Sequence, residues 1–357
     1  MNHFHELTVA RVQRDTRDAV LLTLDVPVEL KDLYRYQPGQ HLTLRAQIEG
    51  EDVRRSYSVF SAIQDDELRI GIKKVAGGVF SSWANEHIVK GMKLEVMPPS
   101  GSFHVALAAE HKKHYLGFAA GSGITPLFSI IKSALQAEPE SCFTLVYGNR
   151  ASSTVMLREE LADLKDRFLE RLSIVHVMSR EKQDIDLFNG RIDGAKCHAL
   201  FQHWISIAEI DTAFICGPEA MMQSVSSALM DAGLSKEKIR TELFFASAPT
   251  QQRKPSAVQA AEGRCDVTLV IDGRHQSFSM DRNQQSVLEA GLAQGIDIPY
   301  ACKGGICATC RCKVSEGKVD MDANYVLEDY EIARGFVLSC QAYPASDTLV
   351  IDFDQDG

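Results

Sequence analysis

Short runs in which apolar and polar residues alternate dominate the N-terminal part of the chain. Such runs cover residues 7–12, 40–44, 68–73 and 94–97, an apolar and β-prone run covers 19–24, and Pro and Gly turns such as Pro38-Gly39 separate them. Successive side chains of a strand point to opposite faces, so a period of two indicates half-buried strands. Many short strands with such turns predict a small antiparallel β-barrel domain over residues 1–108.

From residue 109 onward, longer apolar runs alternate with helical patterns. Buried-type strands are predicted at 115–120, 142–148, 172–178 and 212–217, and helices at 127–135, 155–168 and 219–232. Strands that alternate with helices predict a doubly wound parallel sheet over 109–246. Such a sheet binds its ligand beyond the carboxyl ends of its strands.

A third domain is predicted at the C-terminal end. Residues 247–263 contain Pro249, Pro255 and few apolar residues, which is typical of a linker. Beyond it, 264–357 shows a hairpin arm at 265–274, a helix at 285–293, and a strand and turn at 312–319.

Four cysteines give this third domain its candidate chemistry. Cys302, Cys307 and Cys310 have the spacing C-x4-C-x2-C, and Cys340 stands further along the chain. This is the ligand spacing of a plant-type [2Fe-2S] ferredoxin, in which two thiolates bind each iron. Two adjacent glycines between the first two cysteines would let the loop turn sharply and aim N–H groups at sulfur.

Other uses of the cysteines fit the sequence less well. A zinc site of four cysteines usually shows two C-x2-C pairs, and only Cys307 to Cys310 forms one here. A disulfide framework is disfavoured by the chain length, the odd number of nine cysteines and the lack of a secretory signal. Zinc and purely structural thiols remain the alternatives to the cluster.

Length and charge limit the class of protein. With 357 residues the chain suffices for two or three domains, and 45% apolar with 24% charged residues is ordinary for a globular protein. No apolar run reaches the length of a membrane span and the first residues do not form a signal peptide, so we expect a cytoplasmic protein with no membrane partner. The net charge of -10 argues against a nucleic-acid partner.

The acidity is concentrated in the third domain. From Arg264 to the end, 8 Lys and Arg residues stand against 15 Asp and Glu residues, a net charge of -7. Two interpretations are open, a solvated face or a docking surface for a basic partner.

Three segments of the first two domains carry candidate binding residues. Arg55 and Tyr57 share one side of a predicted strand, where the guanidinium could pair with phosphate and the phenol ring could lie against a flat ring system. A glycine turn at 77–78 opens a helix whose N–H groups and dipole could hold a pyrophosphate. Gly121-Ser122-Gly123 is a tight turn that lacks the third glycine of the dinucleotide fingerprint. Each segment is also typical of ordinary strands, capped helices and turns.

In this order, the signals resemble the ferredoxin-NADP reductase superfamily with a fused C-terminal ferredoxin. The motifs are Arg55-x-Tyr57-Ser58, Gly78-x-x-Ser81, Gly121-x-Gly123-x-Thr125-Pro126, Cys216-Gly217-Pro218 and the cysteine set. The resemblance covers nearly the whole chain and implies a β-barrel flavin domain, a doubly wound nucleotide domain and a β-grasp type ferredoxin domain. Stretches at 34–44, 147–150, 190–194 and 299–305 further resemble the reductase subunits of bacterial phenylacetyl-CoA epoxidases.

On the flavin side, the resemblance implies five binding residues. Arg55 would hold the phosphates of FAD, Tyr57 would stack on the isoalloxazine ring, and Ser58 would face the N5 edge of that ring. Gly78 and Ser81 would bind the FAD pyrophosphate.

On the nicotinamide side, the resemblance implies residues below the dinucleotide and residues beside the nicotinamide ring. Gly121, Gly123 and Thr125 would form the floor under the dinucleotide. Cys216, Gly217 and Pro218 would lie beside the nicotinamide ring, although Cys216 could also be a plain buried thiol. Glu242 and Phe244 would close the flavin edge, and Ser58, Cys216 and Glu242 are the predicted catalytic residues.

The coenzyme is expected to be NADPH, with NADH possible. Arg150 follows one strand and Ser179-Arg180 follow the next, where they could bind a 2'-phosphate. No acidic residue stands at these strand ends to bind the ribose hydroxyls, although Glu181 is adjacent.

The implied function is an electron relay from NADPH through FAD and [2Fe-2S] to the di-iron oxygenase of a phenylacetyl-CoA epoxidase, in phenylacetate degradation. A flavin is needed because a nicotinamide gives two electrons as hydride, whereas the cluster accepts one at a time. The alternatives are a reductase of another oxygenase or of a hybrid-cluster protein, and a zinc-stapled binding module without redox activity.

Overall fold

The structure, a computed structural model, describes residues 3–243, 263–282 and 284–355. The chain folds into two compact units. The larger holds residues 5–53 and 57–243, and the smaller holds 263–282 and 284–355 together with 3–4 and 54–56. The predicted linker lies outside the described residues except for Gly263. None of the helices in these ranges has both the length and the apolar character needed to cross a membrane.

The first part of the larger unit is a six-stranded antiparallel sheet with one helix. Its elements are β1 (His5–Thr16), β2 (Ala19–Asp25), β3 (His41–Ile48), β4 (Glu51–Ser58), β5 (Leu68–Lys73), α1 (Val79–His87) and β6 (Lys93–Val96). The strand order is β4-β3-β6-β1-β2-β5. Val59, directly after β4, bridges Ile70 of β5, so the sheet curls into a barrel-like shape. Alternating side chains such as Leu7 and Val9 fill its interior.

The second part of the larger unit is a five-stranded parallel sheet with helices. Its elements are β7 (His114–Ala120), α2 (Ile124–Ala137), β8 (Cys142–Asn149), α3 (Arg158–Arg167), β9 (Leu172–Met178), α4 (Gly194–His203), β10 (Thr212–Gly217), α5 (Glu219–Asp231) and β11 (Ile239–Leu243). The order is β11-β10-β7-β8-β9, and every neighbouring pair is parallel. Tyr115, Phe143 and Phe214 on three neighbouring strands pack together in one core. The predicted doubly wound sheet is confirmed.

The smaller unit contains a five-stranded mixed sheet, a two-stranded sheet and two short helices. Its elements are β12 (Arg264–Ile271), β13 (Arg274–Asp281), α6 (Val287–Ala293), β14 (Arg311–Glu316), β15 (Val319–Met321), α7 (Asp329–Ala333), β16 (Phe336–Leu338), β17 (Ala342–Pro344) and β18 (Thr348–Asp352). The order is β13-β12-β18-β14-β16, with β12 and β18 parallel. Ser286 caps α6 by accepting the N–H of Glu289. Gly291 lets α6 pack closely, because a Cβ there would lie 2.4 Å from Ile298.

Candidate flavin, nicotinamide and iron-sulfur sites

Three predicted catalytic residues converge between the barrel and the parallel sheet of the larger unit. Ser58 ends β4 and donates a hydrogen bond of 3.5 Å from its Oγ to Glu242 Oε2. Glu242 on β11 stands opposite Cys216 on β10 in the parallel register. Burial raises the pKa of Glu242 to about 8 and raises the pKa of the Cys216 thiol well above its usual range. At neutral pH the site therefore presents a hydroxyl, a thiol and a carboxylic acid, all without charge.

His41 joins this group, although the sequence patterns do not single it out. It begins β3 and is buried, with its Nδ1 3.9 Å from Glu242 Oε1 and its Nε2 3.3 Å from the Ser100 hydroxyl. Gly101 leaves room for the imidazole, since a Cβ there would lie 3.0 Å from Nδ1. The only local signal is the turn before β3, and the contacts come from segments distant in sequence.

The two predicted FAD-binding segments of the barrel meet at an aromatic contact. Tyr57 is half-buried near the end of β4, and its ring centroid lies 5.7 Å from that of Phe80 on α1. Arg55, on the same strand, is exposed and donates to the Arg54 carbonyl oxygen over 2.7 Å. Within the larger unit, Tyr57 and α1 thus place an aromatic ring beside a helix N-terminus, which suits a flavin and its phosphates.

Ser81 and Gly78 shape the turn that opens α1. The Ser81 hydroxyl donates to the Gly78 carbonyl oxygen over 3.2 Å and accepts the Val75 N–H over 3.1 Å. A Cβ on Gly78 would lie only 2.6 Å from the Ser81 Oγ, so a side chain there would displace this hydroxyl. The hydroxyl holds the loop in the form that presents the helix N-terminus.

The glycine turn after β7 lies directly against Cys216. Gly121 has a left-handed φ of 55°, which glycine adopts without strain. A Cβ on Gly123 would lie 2.2 Å from the Cys216 carbonyl oxygen. Thr125 Oγ1 donates to the Ser122 carbonyl oxygen over 3.0 Å and so stabilises the turn into α2. The structure brings the predicted dinucleotide floor and the predicted nicotinamide edge together.

Gly217 and Pro218 lie where β10 passes into α5. A Cβ on Gly217 would lie 2.6 Å from Met221 Cε and 3.1 Å from Ala120 Cβ, so a larger residue would separate this strand end from β7. Pro218 is the N-cap residue of α5.

The carboxyl ends of β8 and β9 bring the predicted coenzyme residues side by side. The Ser179 N–H donates to the Asn149 carbonyl oxygen over 2.9 Å, and the Arg180 N–H donates to the Arg150 carbonyl oxygen over 2.8 Å. Both arginines are exposed. Asn149 is buried at the end of β8. A buried polar side chain at the carboxyl end of a parallel strand fits a site that binds a polar ligand.

The four predicted cluster ligands lie in two pairs in the smaller unit. A hydrogen bond from Cys307, assisted by backbone N–H groups, lowers the pKa of the Cys302 thiol to about 6. One of these groups is the Gly304 N–H, 3.3 Å from the Cys302 sulfur. Cys310 is paired in the same way with Cys340. Two thiol pairs, formed by a loop that supplies N–H donors and by Cys340 after β16, fit a cluster in which each iron takes two thiolates.

Comparison with known proteins assigns the family. Three family profiles match in order: an oxidoreductase FAD-binding domain at residues 6–105, an oxidoreductase NAD-binding domain at 118–227, and a 2Fe-2S iron-sulfur cluster binding domain at 269–345. The E component of the 1,2-phenylacetyl-CoA epoxidase of Escherichia coli K12 is 48% identical over 100% of this chain and 99% of its own length. The chain belongs to the ferredoxin-NADP reductase superfamily.

Two further relatives support the whole architecture of the reductase. The ferredoxin reductase component of 3-ketosteroid-9-alpha-monooxygenase from Rhodococcus rhodochrous is 35% identical over 97% of the chain and 96% of that protein. The solved structure of phthalate dioxygenase reductase shares the fold with a TM-score of 0.60 and 23% identity, over 98% of both chains. The reductase is therefore an oxidoreductase with FAD-binding, NAD-binding and [2Fe-2S] domains, as the resemblance implied. Phe244 lies outside the described residues.

Proposed function

We propose that the reductase carries electrons from NADPH through FAD and the [2Fe-2S] cluster to the di-iron oxygenase of a phenylacetyl-CoA epoxidase. The 48% identity to a component of such an epoxidase, over both full lengths, supports this partner. The observation that carries the relay itself is the meeting of Ser58, Cys216 and Glu242 at the glycine turn after β7. There, a flavin held by the barrel and a nicotinamide held by the parallel sheet would face each other. We further propose domain limits at residues 108, 246 and 264.

The protein's task at this junction is to position two rings and exclude water. When bound, the nicotinamide and the flavin would supply hydride exchange, and the cluster would supply one-electron transfer. Tyr57 and the N-terminus of α1 would hold the flavin, with Arg55, Gly78 and Ser81 at its phosphates. Cys216 and the turn at Gly121, Gly123 and Thr125 would fix the nicotinamide plane. Glu242 would present an uncharged hydrogen-bond donor to the flavin edge, and Ser58, which donates to Glu242, would lie beside it.

NADPH is the coenzyme that the strand ends favour. Arg150, Ser179 and Arg180 lie together after β8 and β9, and guanidinium groups pair well with a phosphate dianion. Steady-state kinetics should give a higher kcat/KM for NADPH than for NADH. The reverse order would overturn this assignment.

The oxygenase partner is tested by reconstitution. The purified reductase is combined with the oxygenase subunits of a phenylacetyl-CoA epoxidase, and product formation is measured against NADPH oxidation. We expect coupled turnover of phenylacetyl-CoA, and no coupling when the oxygenase of a 3-ketosteroid-9-alpha-monooxygenase is supplied instead. Coupling only in the second mixture would favour the alternative, a reductase of a different oxygenase. The 35% identity to the reductase component of that monooxygenase supports this alternative.

A further inference from the structure

Glu181 is the acidic residue that directly follows Arg180, and its carboxylate is already hydrogen-bonded. Its Oε2 accepts two hydrogen bonds from Ser152, one from the backbone N–H and one from the hydroxyl, each of 2.9 Å. Ser152 begins the short helical turn Ser152–Thr154 that follows β8. The turns after β8 and β9 are thus joined by their backbones at Arg150 and Arg180 and closed by this side-chain contact.

The contact matters because a carboxylate at a strand end selects between the two coenzymes. A free carboxylate there accepts the ribose hydroxyls of NADH and repels the 2'-phosphate of NADPH. In this chain Glu181 directly follows Arg180, so an unbound carboxylate would lie beside the proposed phosphate position. Bonded to Ser152, the carboxylate is instead fixed on the N–H and hydroxyl of that residue, two positions beyond Arg150 in the turn after β8. The bonds from Ser152 lower the pKa of Glu181, so the carboxylate is charged at neutral pH and its direction has an electrostatic effect.

We propose that Ser152 is a specificity-determining positioning residue that holds the Glu181 carboxylate away from the 2'-phosphate of NADPH. The inference rests on the proposed use of NADPH. It concerns how the site selects NADPH over NADH. It makes Arg150 and Arg180 effective phosphate ligands because their acidic neighbour is occupied elsewhere.

A single substitution can remove both hydrogen-bond donors of Ser152 with little strain in the backbone. Ser152→Pro loses the hydroxyl and the N–H together. Proline suits the first position of a helical turn, and the preceding Ala151 is already extended at φ -154° and ψ 164°, as a residue before proline prefers. Ser152→Ala removes the hydroxyl alone, and Ser153→Ala on the exposed neighbour is the matched control.

The holoprotein variants are titrated calorimetrically with 2',5'-ADP and with 5'-AMP, which differ only in the 2'-phosphate. We expect Ser152→Pro to raise the Kd of 2',5'-ADP by about tenfold while 5'-AMP binds as before or more tightly. Ser152→Ala should shift the ratio of the two Kd values in the same direction by a smaller factor. Adding Glu181→Gln to Ser152→Pro should restore 2',5'-ADP binding, because the repelling charge is gone.

A plain structural role for the contact gives a different pattern. Equal weakening of both nucleotides in Ser152→Pro, or no recovery with Glu181→Gln, would overturn the proposal, as would an unchanged ratio in Ser152→Ala. The wild-type protein separately tests the coenzyme assignment. If it binds 5'-AMP as tightly as 2',5'-ADP, the NADPH preference fails, while the change in the Kd ratio between wild type and Ser152→Pro still decides the role of Ser152.

Discussion

At the scale of single residues, the flavin edge depends on groups kept neutral by burial. The Glu242 side chain is 16% exposed, and burial raises its pKa to about 8. The carboxyl group therefore keeps its proton in the folded protein and can donate a hydrogen bond while it accepts one from Ser58. A proton donor aimed at the place where charge develops is worth more in such a dry site than in water.

Glu242→Gln should change how stability depends on pH. The folded pKa lies above the ordinary value of 4.5, so between about pH 5 and pH 8 the unfolded state has lost a proton that the folded state retains. The wild-type free energy of unfolding should therefore fall over this window by up to about 4 kcal/mol more than that of the variant. Urea unfolding at pH 5, 6, 7 and 8 measures the difference.

The exposed Glu170→Gln is the control for this prediction, since its carboxylate lies at the surface. It should follow the wild-type curve. Parallel curves for wild type and Glu242→Gln would show that Glu242 is ionised in the folded protein, contrary to the proposed uncharged edge.

Residue identity alone predicts only part of this site. The four cysteines follow from their spacing, and Ser58, Cys216 and Glu242 follow from short motifs and a family resemblance. His41 does not, because its place beside Glu242 depends on the loop at Gly101 and on β11, which are far from it in sequence. The hydrogen bonds from Ser152 to Glu181 could not be predicted from the sequence either, because they join two loops that only the folded sheet brings together.

At the scale of elements, close approach of turns and strands forms the nucleotide site. Hydrophobic periodicity predicts most of the parallel sheet, because buried parallel strands read as continuous apolar runs. It does not predict β11, Ile-Arg-Thr-Glu-Leu, whose polar residues become a strand through pairing with β10. It also misses α4, which contains few apolar residues in a regular helical pattern. Tertiary pairing decides both elements.

Gly123→Ala should disturb the turn against β10. The new Cβ would lie 2.2 Å from the Cys216 carbonyl oxygen, so the turn must move away from the strand. We expect a loss of about 1–3 kcal/mol in the free energy of unfolding and slower flavin bleaching by NADPH. Stopped-flow absorbance and thermal melting measure the two effects.

Gly194→Ala is the matched control within the same sheet domain, because a Cβ there meets nothing within 4 Å. It should leave the stability and the rate of flavin reduction close to wild type. Equal effects of both substitutions would mean that the contact between the turn and Cys216 has no special part in the site.

At the scale of the whole molecule, the three functions of the relay are carried by separate folds. The barrel and the parallel sheet form one compact unit, and the cysteine loop belongs to the other. The order of domains could be predicted from the change of hydrophobic period along the chain, together with the cysteine spacing. The identity of the oxygenase could not, because the motifs of the redox sites contain nothing that recognises an aromatic ring or coenzyme A, so that prediction rests on resemblance alone.

Cys340→Ser should separate the two halves of the relay. Loss of one cluster ligand leaves the flavin site intact, so NADPH should bleach the flavin within about twofold of the wild-type rate, while electron delivery to a ferredoxin-type acceptor is abolished. Stopped-flow flavin absorbance and acceptor reduction are measured on the same sample. Cys312→Ala, a buried thiol of the same core outside the ligand set, should retain both activities. Equal loss of both activities in Cys340→Ser would contradict a sequential relay.

The most direct test of the electron relay is the visible spectrum of the purified protein, with iron and sulfide analysis, before and after anaerobic NADPH. We expect about two iron and two sulfide ions per chain, one FAD, and flavin and cluster bands that bleach together on addition of NADPH. A colourless protein that contains zinc would contradict the cluster assignment and the electron relay built on it.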